Sequence, residues 1–148
     1  NYYLQDGVVP RSSLPMVLAA IDQLSQKHQL PVANVFHAGD GNLHPLILYN
    51  GAELGVKDRV KALGAAILRL CVDVGGSISG EHGVGSDKRC FLDWMFDAAD
   101  LETMQLVRKA FDPEQRANPG KLFPTPVGCA EAHRRSQHLE LPPEVVVI

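Results

Sequence analysis

Two strand-like apolar runs joined by a short polar turn constrain the fold of this chain more than any other feature. The first run is LPVANVFHA from Leu30, the second is LHPLILYN from Leu43, and GDGN lies between them. Such runs around an Asp-Gly pair are typical of a β-hairpin, whose strands pair antiparallel. The chain therefore needs an antiparallel sheet.

Amphipathic segments predict helices that cover one face of this sheet. Apolar residues recur with helical spacing after a capping Ser12 or Ser13, and again up to a stop at Gly75-Gly76. The expected helices span residues 14–27, 56–74, 88–95 and 98–111, and residues 1–10 are typical of a strand that runs into a turn. We predict an α+β fold: a small antiparallel, ferredoxin-like sheet with helices on one face and a C-terminal helical segment.

The length of 148 residues suits one domain with its own core. We expect residues 1–125 to form this domain. Residues 126–148 show no apolar period, so we expect a peripheral C-terminal tail. The chain begins directly in a strand-like run, which predicts that the natural polypeptide starts further upstream.

Composition argues against several classes of protein. Fourteen basic and 17 acidic residues are spread along the chain without a basic block, so nucleic acid is not an expected partner. No apolar run approaches the roughly 20 residues of a membrane span and no signal peptide is evident, so we expect a cytoplasmic protein. Cys71, Cys90 and Cys129 lack CxxC spacing, which indicates buried or idle thiols rather than disulfides, zinc or iron-sulfur ligands.

The hairpin carries two histidines, and we predict that they bind a metal ion. If the turn is centred on Asp40 and Gly41, His37 lies directly opposite His44, with Cβ atoms about 4.5 to 5.5 Å apart. Neutral imidazoles bind zinc and other late first-row metals, but two histidines do not select one metal. The alternative is a plain turn formed by Asp40, with partly buried, hydrogen-bonded histidines beside it.

A glycine-rich loop, GGSISGEHGVG, offers the third ligand. Glu81 lies among small residues, where a buried carboxylate is costly unless a cation receives it. Neighbouring side chains of an extended segment point to opposite sides, so we assign Glu81 to the metal and His82 to the substrate, as general base. The alternative is a surface loop with a solvated acid and histidine. Arg11, just after the first strand, is a candidate to grip a substrate carboxylate.

The stretches DGVVPRSSLP, VANVFHAGDGNLHPLILY, VGGSISGEHGVGSDK and AFDPEQRANPGKLFP occur here in one order. In this order and spacing they resemble the C-terminal domain of FAD-linked oxidases of the vanillyl-alcohol-oxidase superfamily, and among its members the glycolate oxidases are most similar. The resemblance implies that residues 1–125 are the substrate- and metal-binding cap of a larger flavoprotein.

The resemblance also implies roles for individual residues. His37, His44 and Glu81 would hold a divalent ion (zinc, manganese or iron), and His82 would take the hydroxyl proton of a bound substrate. Asn118, Glu81 and His82 would bind cofactor, with Asn118 close to the flavin. FAD itself would be held mostly by an N-terminal domain absent from this chain, so the isolated chain is expected to be inactive.

The implied reaction is oxidation of a 2-hydroxy acid to a 2-oxo acid by hydride transfer to flavin. Hydroxyglutarate enzymes carry a lysine just before the position of Asp6 and an asparagine at the position of Leu46, so a small acid such as glycolate or D-lactate fits better. An iron-sulfur electron-transfer subunit is an expected partner, and it could attach the protein peripherally to the inner membrane. The alternatives are a non-catalytic metal and small-acid binding module, or an assembly fragment of a split flavoprotein.

Overall fold

A computed structural model describes residues 1–124, and these divide into two compact units, residues 1–82 and residues 83–124. The first unit contains a small antiparallel sheet with two helices, which confirms the predicted α+β class. The predicted tail, residues 126–148, lies outside the described residues, and the predicted boundary at residue 125 stays a prediction.

Strand β4 is the centre of the sheet. It pairs antiparallel with β3 on one side and with both β1 and β2 on the other. Tyr2 pairs with Leu48 and Gly7 with Leu43, so the register continues across the break between β1 and β2. The strands are β1 (Tyr2–Leu4), β2 (Gly7–Val8), β3 (Val32–His37) and β4 (Asn42–Leu48).

Helices α1 (Leu14–His28) and α2 (Val56–Asp73) confirm the first two predicted helices within two residues at each end. Their apolar stripes pack with Leu43 and Ile47 of β4 in one core cluster. Side chains alternate along a strand, so the neighbours Asn42 and His44 face away from the helices. The sheet thus has one face for the core and one for the histidines.

The hairpin forms as expected, but the predicted register is wrong. His37 pairs with Asn42, and His44 pairs with Val35. The turn has four residues, 38–41, closed by hydrogen bonds from Asp40 N and Gly41 N to the carbonyl oxygen of His37. The register therefore differs by two residues from a two-residue turn, and a slip of two keeps both histidines on the same face.

The segment after α2 returns to the histidine face of the sheet. Ser77 N donates to Val8 O at 2.9 Å and Val8 N donates to Ser77 O at 3.0 Å, which attaches this segment to β2. The residues that follow form no regular element, as expected for SISGEHGVG. We refer to residues 77–82 as the EH loop.

The second unit contains a short 3-10 helix, Arg89–Trp94, and helix α3, Ala98–Phe111. The predicted helices 88–95 and 98–111 both occur, the first in the tighter 3-10 form. Asp97 caps α3 by accepting a hydrogen bond from Asp100 N. Cys71 in α2 is a buried thiol, as expected, but Cys90 is disulfide-bonded, so the expectation of an idle thiol is wrong there.

Within residues 1–124, the helices are all too short or too polar to cross a bilayer.

Candidate metal centre

Three side chains from two distant segments converge on the histidine face. Glu81 Oε1 lies 3.4 Å from His37 Nε2, and Glu81 Oε2 lies 3.7 Å from His44 Nε2. One ligand atom of each residue lies within 4.8 Å of the other two. Ligands bound to one ion at about 2.1 Å stand about 3.4 Å apart along the edge of a tetrahedron. The two distances from Glu81 are close to this edge length, so the three residues are a candidate ligand set for one divalent cation.

The hairpin brings the two imidazoles together from diagonal positions. Their ring centroids are 5.4 Å apart and the ring planes are nearly perpendicular, at 89°. Diagonal neighbours across a strand pair remain within reach of long side chains. The observed diagonal arrangement therefore allows both imidazoles to reach one ion, as the predicted directly opposed pair would.

The cluster has a buried side and an open side. The side chain of His44 is 11% exposed, whereas those of His37 and Glu81 are 55% and 53% exposed. Two imidazoles and one carboxylate suit zinc and other late first-row ions, and manganese accepts them with further oxygen ligands. Three protein ligands leave coordination positions free, which is typical of catalytic rather than structural sites.

His82 lies against the same cluster without joining the ligand set. Its ring stacks on that of His44, with centroids 5.1 Å apart and planes at 23°. His82 is exposed to solvent. Glu81 and His82 thus both contact His44, and the predicted division of roles between a metal ligand and a general base stays a prediction.

Asp6 is a site residue that sequence reasoning missed. The continuing register of β1 and β2 places it opposite His44, and it is fully buried. Its carboxylate accepts hydrogen bonds from the EH loop. The signal was present in the sequence, since a charged residue inside a strand that carries Tyr2, Leu4 and Val8 on the same face must find partners.

The glycine at position 80 lets the EH loop lie close to the sheet. A Cβ atom there would stand 2.8 Å from both Asn42 Nδ2 and Val8 Cγ2. Asn42 itself is buried, and its Oδ1 atom has no hydrogen-bond partner among the described residues. Asn42 is thus a second polar residue of the site that the sequence did not single out.

Arg11 begins the short 3-10 helix after β2, and it is exposed. Val9 N donates to Gly41 O, which brings this end of the chain against the hairpin turn. The structure thus places the Arg11 backbone near the turn, and its role toward a substrate carboxylate stays a prediction.

Asn118 belongs to the second unit and lies in a turn with a positive φ of 48°. Arg108 on α3 fixes this turn by donating to the carbonyl oxygens of Ala117 and Asn118 at 2.5 and 3.2 Å. Asparagine tolerates such a backbone better than most residues. Its predicted place beside the flavin stays a prediction.

The sequence profile of the FAD linked oxidases, C-terminal domain, matches residues 1–122. The chain belongs to this family. The predicted resemblance is thereby confirmed, and it covers the hairpin, the EH loop and the Asn118 turn of this FAD-linked oxidase domain.

Named relatives agree with this assignment. The domain is 50% identical to glycolate oxidase subunit GlcD of Escherichia coli strain K12 over 145 residues, which cover 96% of this chain and 29% of the relative. It is 36% identical to GlcD of Bacillus subtilis, covering 81% of this chain and 26% of the relative. A mitochondrial D-lactate dehydrogenase of Arabidopsis thaliana is 30% identical, over 82% of this chain and 21% of the relative. The chain spans less than a third of each of these relatives.

Proposed function

We propose that this chain is the substrate- and metal-binding part of an FAD-dependent 2-hydroxy-acid dehydrogenase of the glycolate or D-lactate type. The observation that carries the proposal is the convergence of His37, His44 and Glu81 within 4.8 Å. Relatives named glycolate oxidase subunit and D-lactate dehydrogenase support the reaction class.

The three converging residues would hold a divalent ion, and zinc, manganese and iron all suit this ligand set. When bound, the ion would supply Lewis acidity toward the hydroxyl and carboxylate oxygens of the substrate. FAD, held mostly by an N-terminal domain outside this chain, would supply the acceptor for the hydride that leaves C2. Residues 1–124 pair strands only in antiparallel fashion, which leaves no parallel βαβ unit there for a dinucleotide.

His82 would act as general base. Its exposed ring beside His44 can accept the hydroxyl proton of a 2-hydroxy acid on an imidazole nitrogen. Arg11 would hold the substrate carboxylate by two parallel hydrogen bonds, and Asn118 would lie near the flavin. Glu81 and His82 are the other candidates for contact with the cofactor.

The surface next to the cluster favours a small monocarboxylate. Leu46 follows His44 on the same face of β4, and Leu4 pairs with Leu46 from β1. Val35, the partner of His44, is 56% exposed on this face. A second substrate carboxylate placed here would lose water against apolar side chains without gaining a cation. Glycolate or D-lactate would avoid that cost.

The proposed electron-transfer partner rests on the name of a relative and on the cysteines of this chain. The Escherichia coli relative is named a subunit, and this chain has no clustered cysteines for an iron-sulfur centre. We therefore propose a separate iron-sulfur subunit as electron acceptor, in a cytoplasmic protein that reaches the inner membrane only through such partners.

Turnover tests the proposal. The chain is assayed alone and together with the proposed FAD-binding N-terminal part of the flavoprotein, with dichlorophenolindophenol as acceptor and glycolate, D-lactate, L-lactate or D-2-hydroxyglutarate as substrate. We expect activity on glycolate or D-lactate only in the combined sample. In that sample His82→Gln should lower kcat about 10²- to 10⁴-fold, because a general base contributes about that much.

His28→Gln is the matched control, because His28 ends α1 on the core face of the sheet, away from the cluster. It should retain wild-type kcat. Flavin in the combined sample that no 2-hydroxy acid reduces, or an unchanged kcat in His82→Gln, would refute the proposed reaction. Glycolate binding by the chain alone, without turnover in either sample, would favour a plain binding module.

A further inference from the structure

Asp6 makes more hydrogen bonds than any other carboxylate in the described part of the chain. Its Oδ2 atom accepts from the backbone N–H groups of Gly80, Glu81 and His82 at 3.0, 3.1 and 2.9 Å. It also accepts from the hydroxyl of Ser79 at 2.8 Å. Successive backbone N–H groups around one carboxylate form a fixed anion site, here filled from within the chain.

This arrangement fixes the EH loop at the two residues that matter for the site. The N–H groups of Glu81 and His82 both point to Asp6, so their side chains leave the backbone from a defined position. Asp6 is fully buried, so water does not compete for these bonds.

The other oxygen of Asp6 faces a metal-ligand candidate. Asp6 Oδ1 lies 3.9 Å from His44 Nδ1, close enough for an ion pair and too long for a hydrogen bond. His44 Nδ1 is buried and has no hydrogen-bond partner among the described residues. The opposite nitrogen, Nε2, is the one that faces Glu81.

We propose that Asp6 is a positioning residue of the cation site, with two effects. It holds the EH loop so that Glu81 reaches the two histidines, and it keeps the proton of neutral His44 on Nδ1, which leaves the lone pair of Nε2 for the ion. This inference rests on the proposed metal centre. Metal-ligating histidines generally direct their second nitrogen to a carboxylate, carbonyl or water, which fixes the tautomer.

An isosteric amide separates these effects from simple packing. In Asp6→Asn the single oxygen should stay with the three N–H groups of the EH loop, because they offer the most donors. The new NH₂ group would then face His44 Nδ1 in place of a carboxylate oxygen. A donor there disfavours a proton on Nδ1, so the proton of His44 should move to Nε2, where it blocks the ion.

The test uses the full chain and its Asp6→Asn variant, with Asp22→Asn as a matched control on the exposed face of α1. Side-chain ¹⁵N NMR at pH 8 reports which nitrogen of His44 carries the proton, assigned by comparison with His44→Gln. Calorimetric titration with Zn²⁺ alone gives the affinity of each protein.

We expect the wild type and Asp22→Asn to carry the proton on Nδ1 and to bind Zn²⁺ equally. Asp6→Asn should carry it on Nε2 and bind Zn²⁺ about 10- to 100-fold more weakly, as is typical when a group behind a metal ligand is lost. If Asp6→Asn does not fold, two other measurements still test the role of Asp6. One is the tautomer of His44 in the wild type. The other is Zn²⁺ binding by Ser79→Ala, which removes one donor to Asp6 and should weaken the binding.

Two failures are distinguishable. A wild-type chain that binds no Zn²⁺ would overturn the proposed metal centre. A wild type that binds Zn²⁺ with His44 protonated on Nε2, or an Asp6→Asn variant with wild-type affinity and tautomer, would overturn the role of Asp6 alone.

Discussion

Replacement of Gly76 by alanine should detach the EH loop from the sheet. A Cβ atom at Gly76 would lie 1.9 Å from the carbonyl oxygen of Val8 and 2.6 Å from that of Cys71. Both obstacles are backbone atoms, which cannot turn aside as a flexible side chain can. The clash is relieved only if Val8 and the loop move apart. This separation breaks the two backbone hydrogen bonds between Val8 and Ser77.

The cost follows from these contacts. Each lost backbone hydrogen bond destabilises the protein by about 1 kcal/mol. Residual overpacking against backbone adds about 1 to 3 kcal/mol. We therefore expect Gly76→Ala to lower the free energy of unfolding by about 3 to 5 kcal/mol.

Gly75→Ala provides a matched control at the neighbouring position. Gly75 has a φ of +82° and open space where a Cβ would go, so alanine there meets only left-handed backbone strain. That strain costs about 1 to 2 kcal/mol. The pair thus compares a steric clash with a conformational penalty in the same turn.

Urea denaturation followed by circular dichroism measures both losses, and Zn²⁺ titration of the folded variants measures the site. Gly76→Ala should lose more stability than Gly75→Ala and should bind Zn²⁺ more weakly, because the loop carries Glu81. Equal losses of stability, within about 0.5 kcal/mol, would refute the proposed anchoring. Wild-type Zn²⁺ affinity in Gly76→Ala would refute the link from loop to site.

Three further predictions concern the fold. Ile47→Ala, at a fully buried position on β4, should lower the free energy of unfolding measured with urea by about 2 to 5 kcal/mol. Leu48→Ala, at a position that is 40% exposed, should lower it clearly less, and equal losses would contradict the assigned faces of the strand. Asp97→Ala should cost about 1 kcal/mol and reduce helicity by fraying α3, and unchanged circular dichroism would exclude the cap. Burial, aided by Lys27, lowers the pKa of His28 below 6.5. As the pH falls below 6.5, His28 therefore takes up a proton in the unfolded chain before it does so in the folded chain, and the free energy of unfolding decreases until the lowered pKa is reached. In a series of urea midpoints against pH, His28→Gln should remove this decrease. An unchanged decrease in His28→Gln would show that another group causes it.

Local patterns predicted the elements of the fold well. The apolar stripes of α1 and α2 and the Asp-Gly turn between two apolar runs depend on neighbours in sequence, so the helices and the hairpin occur where the sequence places them. The pairing register of the hairpin strands could not be predicted in the same way, because an Asp-Gly pair is compatible with turns of more than one length. The error of two residues left the predicted face unchanged.

The convergence of the three candidate ligands was predictable from the sequence, but the residues that support them were not. His37, His44 and Glu81 were singled out because their residue types and surrounding glycines indicate metal chemistry, and the structure brings them together. Asp6 escaped notice, since its partners lie 73 to 76 positions away along the chain and are mostly backbone N–H groups, which no side-chain pattern reveals. The pairing of Cys90 also depends on tertiary structure rather than on cysteine spacing.

The central claim is that two imidazoles and one carboxylate hold a divalent ion, and metal binding tests it most directly. Zn²⁺ and Mn²⁺ titrations of the wild type, His37→Ala and Glu81→Ala, with Asp40→Asn as a control from the adjacent turn, give stoichiometry and affinity. The account predicts one ion per chain in the wild type and Asp40→Asn, and a large loss of affinity in the other two variants. Equal binding by all four proteins, or no binding by the wild type, would contradict it.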